Sequence, residues 1–196
     1  MDTNSKKYKA ILADPPWGVP AQRGKHSSRS AESHYPLMSL EQIKAMPVAD
    51  LANENSQLYL WTPNSLIPEA LEVIKAWGFQ YRCSMVWCKP RILLGNYIRT
   101  AHETLLFATR GKAPVKFHGQ PSWIFASQQE HSHKPEEFYS IIERLYDGPY
   151  LELFARRRCR GWDVWGNEVL SDIAIPGYPV PTYSDKVSNT DKPKGV

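Results

Sequence analysis

Tyr8-Lys9-Ala10-Ile11-Leu12-Ala13 runs without a break into Asp14-Pro15-Pro16-Trp17. A short, mostly apolar run of this length reads as a buried strand. Two successive prolines lack the N–H donors that a ladder needs, so the strand must end there. A strand that stops on a carboxylate, a stiff turn and an indole puts those groups at the carboxyl edge of a sheet, where α/β proteins gather their ligands. A bare Pro-Pro is an ordinary turn signal; the full tetrapeptide directly after a buried strand predicts a site.

The surrounding chain supplies the sheet. Gly18 to Pro36 is polar and aperiodic, a long loop. Ser39-Leu40-Glu41-Gln42 is a capping box opening a short helix towards Met46. Gln57 to Trp61 reads as a strand ended by Thr62-Pro63. Leu66, Ala70, Val73, Ile74 and Trp77 then follow helical spacing up to a stop at Gly78. Phe79 to Trp87 and Glu103 to Ala108 are two further strands with a basic loop between them, and a mostly polar segment runs on to Lys134. Pro135 is placed at the first position of another helix, with Glu136 and Glu137 in its first turn. Phe138, Ile141, Ile142 and Leu145 form its apolar face, and Gly148 closes it. Leu151 to Phe154 is the last strand expected. Alternating strands and helices indicate an α/β fold with a largely parallel sheet. Proline and polar residues dominate from Ser171, so the expected division is one domain over residues 1–170 and a flexible tail over 171–196.

Composition narrows the class. With 196 residues, 42% hydrophobic and 22% charged, the chain is in the range of a single soluble globular domain. No apolar run approaches the ~18 residues of a membrane span, and Met1 to Lys9 lacks the apolar stretch of a signal peptide. Cys83, Cys88 and Cys159 form neither a CxxC pair nor a zinc pattern; reduced thiols, a cytoplasmic setting and no metal are expected. GxGxxG, P-loop, HExxH and nucleophile-elbow signatures are missing from the sequence. The net charge is only +4, but it is grouped: Arg23, Lys25 and Arg29; Lys89, Arg91 and Arg99; Arg110, Lys112 and Lys116; Arg156, Arg157, Arg158 and Arg160. Such clusters are either solvated surface or a path for a phosphate backbone.

Three polar motifs fall at expected strand ends: Asp14 to Trp17, Lys89-Pro90 and Phe154-Ala155-Arg156. The first suits the exocyclic amine of adenine, a poor nucleophile because its lone pair is delocalised into the ring. Asp14 supplies a carboxylate acceptor, Pro15 and Pro16 supply carbonyls on a stiff backbone, and Trp17 supplies a flat face for an extruded base. Methyl transfer by direct displacement from a sulfonium needs no metal and no covalent intermediate, so positioning supplies much of the rate. Lys134 precedes a helix N-terminus, where the dipole disfavours a cation; either a carboxylate ligand or pairing with Glu136 or Glu137 resolves this. Arg156 follows a strand and suits a ribose hydroxyl or a carboxylate. Gly166-Asn167-Glu168 is a turn whose side chains suit hydroxyls or an adenine edge.

Taken in order, the motifs resemble a known family. They are Asp14-Pro15-Pro16-Trp17, Tyr35-Pro36-Leu37-Met38-Ser39-Leu40, Leu58-Tyr59-Leu60-Trp61, Trp87-Cys88-Lys89, His102-Glu103, Ser132-His133-Lys134-Pro135-Glu136, Glu152-Leu153-Phe154-Ala155-Arg156 and Gly166-Asn167. The set, spanning about residues 8 to 170, is similar to the MT-A-type adenine N6-methyltransferases, and its compact size resembles prokaryotic and phage members. The resemblance implies a Rossmann-like, S-adenosylmethionine-dependent methyltransferase fold with the permuted, beta-class-like motif order. It implies that Asp14, Pro15, Pro16 and Trp17 are catalytic and that Trp17, Tyr35, Lys89 and Glu103 lie at the substrate. It also implies that Asp14, Lys134, Phe154, Arg156, Asn167 and Glu168 bind the cofactor, with Lys134 facing the methionine carboxylate. Glu168 stands where the family commonly has glutamine, and the chain is short before Asp14, where long members bind the cofactor's adenine. The implied partner is nucleic acid, DNA in preference to RNA, with a homo- or heterodimer as in larger relatives. An inactive nucleic-acid-binding subunit is the alternative from another class, and the intact tetrapeptide argues against it.

Overall fold

The computed structural model describes residues 6–18, 37–90, 97–127 and 134–180. Seven strands form one sheet in the order β5-β3-β4-β2-β1-β6-β7. They are β1 (Tyr8–Ala13), β2 (Ala52–Thr62), β3 (Gln80–Cys88), β4 (His102–Arg110), β5 (Trp123–Phe125), β6 (Tyr150–Leu153) and β7 (Trp162–Trp165). The helices are α1 (Leu40–Lys44), α2 (Val48–Leu51), α3 (Ile67–Ala76) and α4 (Glu137–Leu145), with a 3₁₀ turn at Asn64–Leu66.

The α/β, Rossmann-like reading holds, with one qualification. The pairs β1·β2, β1·β6, β6·β7 and β3·β5 are parallel, whereas β4 runs antiparallel to both β2 and β3. The sheet is therefore mixed. Residues 89–101 join β3 to β4, and an antiparallel neighbour needs no helical crossover.

Local chemistry explains the helix ends. Ser39 and Gln42 exchange both hydrogen bonds of a capping box at the start of α1. α3 ends in a Schellman motif: Gly78 N–H donates to the Lys75 carbonyl and Phe79 N–H to Ile74, with Gly78 at φ +80°. α4 starts two residues later than its sequence suggests. Glu136 caps it at φ −64°, so Pro135 precedes the cap instead of occupying the first helical position, and its carbonyl accepts from Phe138.

Two apolar layers sandwich the sheet. On one face Ile11, Ala13, Leu58, Leu60 and Leu106 pack with Ile43, Val73, Ile74 and Trp77 of the α1–α3 side. Trp77 also donates its indole N–H to the Ile43 carbonyl at 2.9 Å. On the other face Leu12, Tyr59, Trp61, Trp87 and Leu105 pack with Phe138, Ile141, Ile142 and Leu145 of α4. Beyond β7, Ile175 is buried and the Tyr178 hydroxyl donates to the Gln42 carbonyl at 2.8 Å.

The turn after β7 is closely packed. A Cβ on Gly166 would fall inside contact distance of the Ala155 carbonyl oxygen and 2.8 Å from its nitrogen, and Ala155 N–H is already bonded to the Trp165 carbonyl at 2.9 Å. Both obstacles are backbone and cannot swing aside. Gly166→Ala is therefore expected to destabilise the fold by about 1–3 kcal/mol, read as a lower midpoint in urea unfolding at unchanged slope.

Candidate active site

The register brings strand ends level. Ala13 pairs with Leu60 on one side and Leu153 on the other, so Asp14 emerges between Trp61 and Phe154. Trp61 pairs with Leu105, two residues from Glu103, and Glu103 pairs with Trp87, which leaves Lys89 just past the end of β3. The chain leaves β1 towards β2 and returns after β5 to β6 on the opposite side. This reversal at β1 is where open α/β sheets bind ligands.

Four charged side chains from four segments alternate in sign across this end. Lys134 Nζ donates to Asp14 Oδ2 at 2.7 Å and lies 3.3 Å from Glu103 Oε2. Lys89 Nζ donates to the other oxygen of Glu103. The Lys89 side chain is only 4% exposed and that of Lys134 20%, against 29% for Asp14 and 30% for Glu103. Each ammonium also sits over an indole: Lys89 at 4.4 Å from the Trp87 ring and Lys134 at 5.4 Å from the Trp61 ring. Burial works against the charge on Lys134, but the Asp14 and Glu103 carboxylates outweigh it and hold the ammonium above the ordinary lysine range. Burial likewise opposes the charge on Glu103, but Lys134 and Lys89 outweigh it and hold the carboxyl below its usual range.

The tetrapeptide is wired into the sheet. Trp17 donates its indole N–H to the Trp61 carbonyl at 3.1 Å, which fixes the ring. Pro15 O accepts from Trp17 N–H and Pro16 O from Met38 N–H, both at 2.9 Å. The proline carbonyls expected to receive an amine therefore each carry one bond already and have one lone pair left to offer.

Beside Asp14 a pocket opens towards β6, lined by Trp61, Lys134, Tyr139, Glu152, Phe154 and Arg156 among others. Phe154 has φ 63°, a left-handed conformation costing a bulky residue about 1–3 kcal/mol and characteristic of ligand sites. Its ring meets Trp165 edge-on at 5.3 Å. Arg156 Nε donates to Glu168 Oε1 at 3.1 Å. Glu152 accepts from the Tyr139 hydroxyl at 2.8 Å. Burial, with the Asp14 charge adding to it, pushes its carboxyl up to about 7 although Tyr139, Arg157 and Lys134 act the other way.

The sheet end thus gathers Asp14, Pro15, Pro16, Trp17, Lys89, Glu103, Lys134, Phe154 and Arg156, with Glu168 held by Arg156. Asn167 is exposed and does not line the pocket, and Tyr35 lies outside the described residues. Lys134 pairs with Asp14 and Glu103, not with Glu136, which pairs with Arg157 at 2.6 Å. Trp61 and Glu152 stand in the motifs quoted above without an assigned role, and Tyr139 carries no signal in the sequence. A signal existed for Glu152: it is the lone carboxylate of the strand Tyr-Leu-Glu-Leu, between two buried leucines, and it meets Tyr139 of α4.

Comparison with known proteins gives one family match and three relatives. The sequence profile described as MT-A70 matches residues 8–168. The Type II methyltransferase M.MunI of a Mycoplasma species is 28% identical over 191 residues, covering 87% of this chain and 82% of its own length. Human N(6)-adenine-specific methyltransferase METTL4 is 29% identical, covering 84% of this chain and 38% of its own. The catalytic subunit of human N(6)-adenosine-methyltransferase, METTL3, is 25% identical over 83% of this chain and 28% of its own. The chain thus spans most of the first relative and about a quarter to two fifths of the other two.

With its carboxyl pushed up to about 7, Glu152 keeps its proton in the native state over a pH range in which an unfolded chain, with an ordinary value near 4.5, has released it. Stability should therefore fall as pH rises from about 4.5 to 7 and stay at the lower level above. Glu152→Gln keeps an acceptor for Tyr139 and removes the titration. The variant is expected to be more stable than wild type by on the order of 2–3 kcal/mol at pH 8 and to converge with it below pH 4.5, checked by urea unfolding across that range.

Proposed function

The chain belongs to the MT-A70 family of adenine N6-methyltransferases, and on that premise we propose that it transfers a methyl group from S-adenosylmethionine to the 6-amino group of adenine in DNA. The observation that carries the reading is the Lys134–Asp14 pair at 2.7 Å, which joins the tetrapeptide to the wall of the pocket at the point where two ligands must meet.

The donor set fits the cofactor. A methionine moiety has a carboxylate, an ammonium and a sulfonium. Lys134 carries three N–H donors and uses two on carboxylates, so it retains one for the carboxylate. Glu152 and Asp14 are acceptors for the ammonium, Phe154 flanks the pocket and Arg156 with Glu168 suits ribose hydroxyls; Asn167 is proposed at the cofactor's adenine. When bound, S-adenosylmethionine supplies an electrophilic methyl group. Asp14 accepts a hydrogen bond from the adenine amine and helps its nitrogen rehybridise, while the remaining lone pairs of Pro15 and Pro16 orient the second N–H. Trp17, held by its bond to Trp61, stacks on the base. Lys89 and Lys134 keep Glu103 ionised beside the substrate, and Tyr35 is proposed to line the same pocket.

DNA is favoured over RNA because the chain matches most of the length of the Type II methyltransferase and only about a quarter of the relatives named for adenosine. Offered labelled cofactor with matched DNA and RNA, the protein is expected to place label in DNA as 6-methyladenine, identified by mass after digestion. Label in RNA alone would keep the chemistry and reverse the substrate. Asp14→Ala is expected to abolish transfer with the fold intact; wild-type turnover would remove the mechanism. Lys134→Ala is expected to weaken cofactor binding by about 1.5–3 kcal/mol, the worth of a charge-assisted hydrogen bond, and an unchanged calorimetric constant would take Lys134 out of the site.

A further inference from the structure

The positive charge of this chain is concentrated in one stretch of its sequence, which builds the β3–β5 flank of the sheet. Between Glu72 and Glu130 the sole carboxylate is Glu103, against eight lysines and arginines, while the whole chain is only +4; the remainder is therefore net acidic. Its described residues form the end of α3, β3, β4 and β5, with Lys89 and Arg99 at the strand ends beside Glu103 and with Arg82, Arg110 and Lys112 at the opposite end. The arginine-rich turn after β6 does not compete with it, because Arg156, Arg157 and Arg158 are paired with Glu168, Glu136 and Asp172.

The same flank carries uncovered aromatic side chains. Tyr97 is fully exposed, Phe125 71% and Trp123 51%. Trp123 and Phe125 lie on one face of the edge strand β5 with their rings 5.4 Å apart, edge to face. β5 runs parallel to β3, and Phe125 pairs with Cys88, next to Lys89. On the other side of β3, Lys89 N–H donates to the Ala101 carbonyl at 2.8 Å, which anchors the segment carrying Tyr97 and the exposed Arg99. Both sets of rings therefore flank the Lys89–Glu103 pair.

We propose that this flank is the track for the strand carrying the target base, with Tyr97, Trp123 and Phe125 stacking on bases beside it and Arg99 contacting their phosphates. The inference rests on the nucleic-acid methyltransferase reading. Aromatic faces interleaved with cations suit an unpaired polynucleotide, whose bases stack and whose backbone is anionic. A second copy of the chain fits worse, since two such flanks brought together would repel.

The test is fluorescence anisotropy of labelled single-stranded DNA and RNA of one sequence across a range of salt. Wild type is compared with Trp123→Ala/Phe125→Ala, Tyr97→Ala and Arg99→Ala. The aromatic variants are expected to bind about tenfold more weakly or worse with the salt slope unchanged, and Arg99→Ala to lower that slope by about one. S-adenosylmethionine affinity, measured by calorimetry, should be unaffected in all three, which establishes that they fold. Unchanged oligonucleotide affinity in the aromatic variants overturns the track. It does so equally if sedimentation shows that these variants have turned a dimer into a monomer, for then the face belongs to a second copy. RNA bound in place of DNA, with the same losses, keeps the track and moves only the substrate. Wild type that methylates DNA while the variants bind as well as it does removes the track alone.

Discussion

One ammonium holds this site together. Lys134 reaches from the entrance of α4 to carboxylates on β1 and β4, and no other described side chain bridges those two strand ends. The arrangement is costly to desolvate, because buried ion pairs recover their solvation loss only with good geometry and further hydrogen bonds. Here the recovery comes from alternation: each of the two inner charges, Lys134 and Glu103, faces two opposite partners, and the lysines rest on indole faces. The reward is a set of polar atoms already fixed before any ligand arrives, the condition under which positioning and electrostatics contribute to rate.

Much of this was legible in the chain because local rules coincided with the global fold. Tyr8–Ala13 is apolar and stopped by two prolines, Ser39 and Gln42 cap α1, and Gly78 ends α3; each signal is short-range and each element formed as read. The elements that escaped notice lack such signals. β5 is three residues inside a polar stretch and exists through pairing with Val86, Trp87 and Cys88. β7 is four residues among arginines and glycines, paired to β6. The helical turn α2 starts directly after a proline that gives no side-chain cap. The orientation of β4 is likewise a property of its neighbours.

The site divided along the same line. Residues in contiguous motifs, Asp14 to Trp17 and Phe154 to Arg156, could be found from spacing. Partnerships could not: for Lys134 the sequence offers a carboxylate ligand or pairing with Glu136 or Glu137, and it pairs instead with Asp14, 120 residues away. Glu152 and Tyr139 become a pair only because β6 and α4 pack together. The strain at Phe154 and the close approach of Gly166 to Ala155 are conformational facts that residue types hint at weakly, since phenylalanine is an improbable occupant of positive φ.

The position of β1 between β2 and β6 has a consequence for how the protein is made. Of the described strands β1 is synthesised first, and β2 can join it early, but β6 begins only at Tyr150. Until β6 is made, β1, an interior strand of the finished sheet, is an open edge with unsatisfied backbone groups and apolar side chains on both faces, the kind of surface that invites aggregation. Asp14 is synthesised early and waits until the last quarter of the chain supplies Phe154 and Arg156. A nascent chain therefore carries Asp14 to Trp17 long before the pocket wall of Phe154 and Arg156 exists, and long-range closure of this kind folds slowly. A fragment ending before β6 would be an adhesive half-sheet and not a partial enzyme.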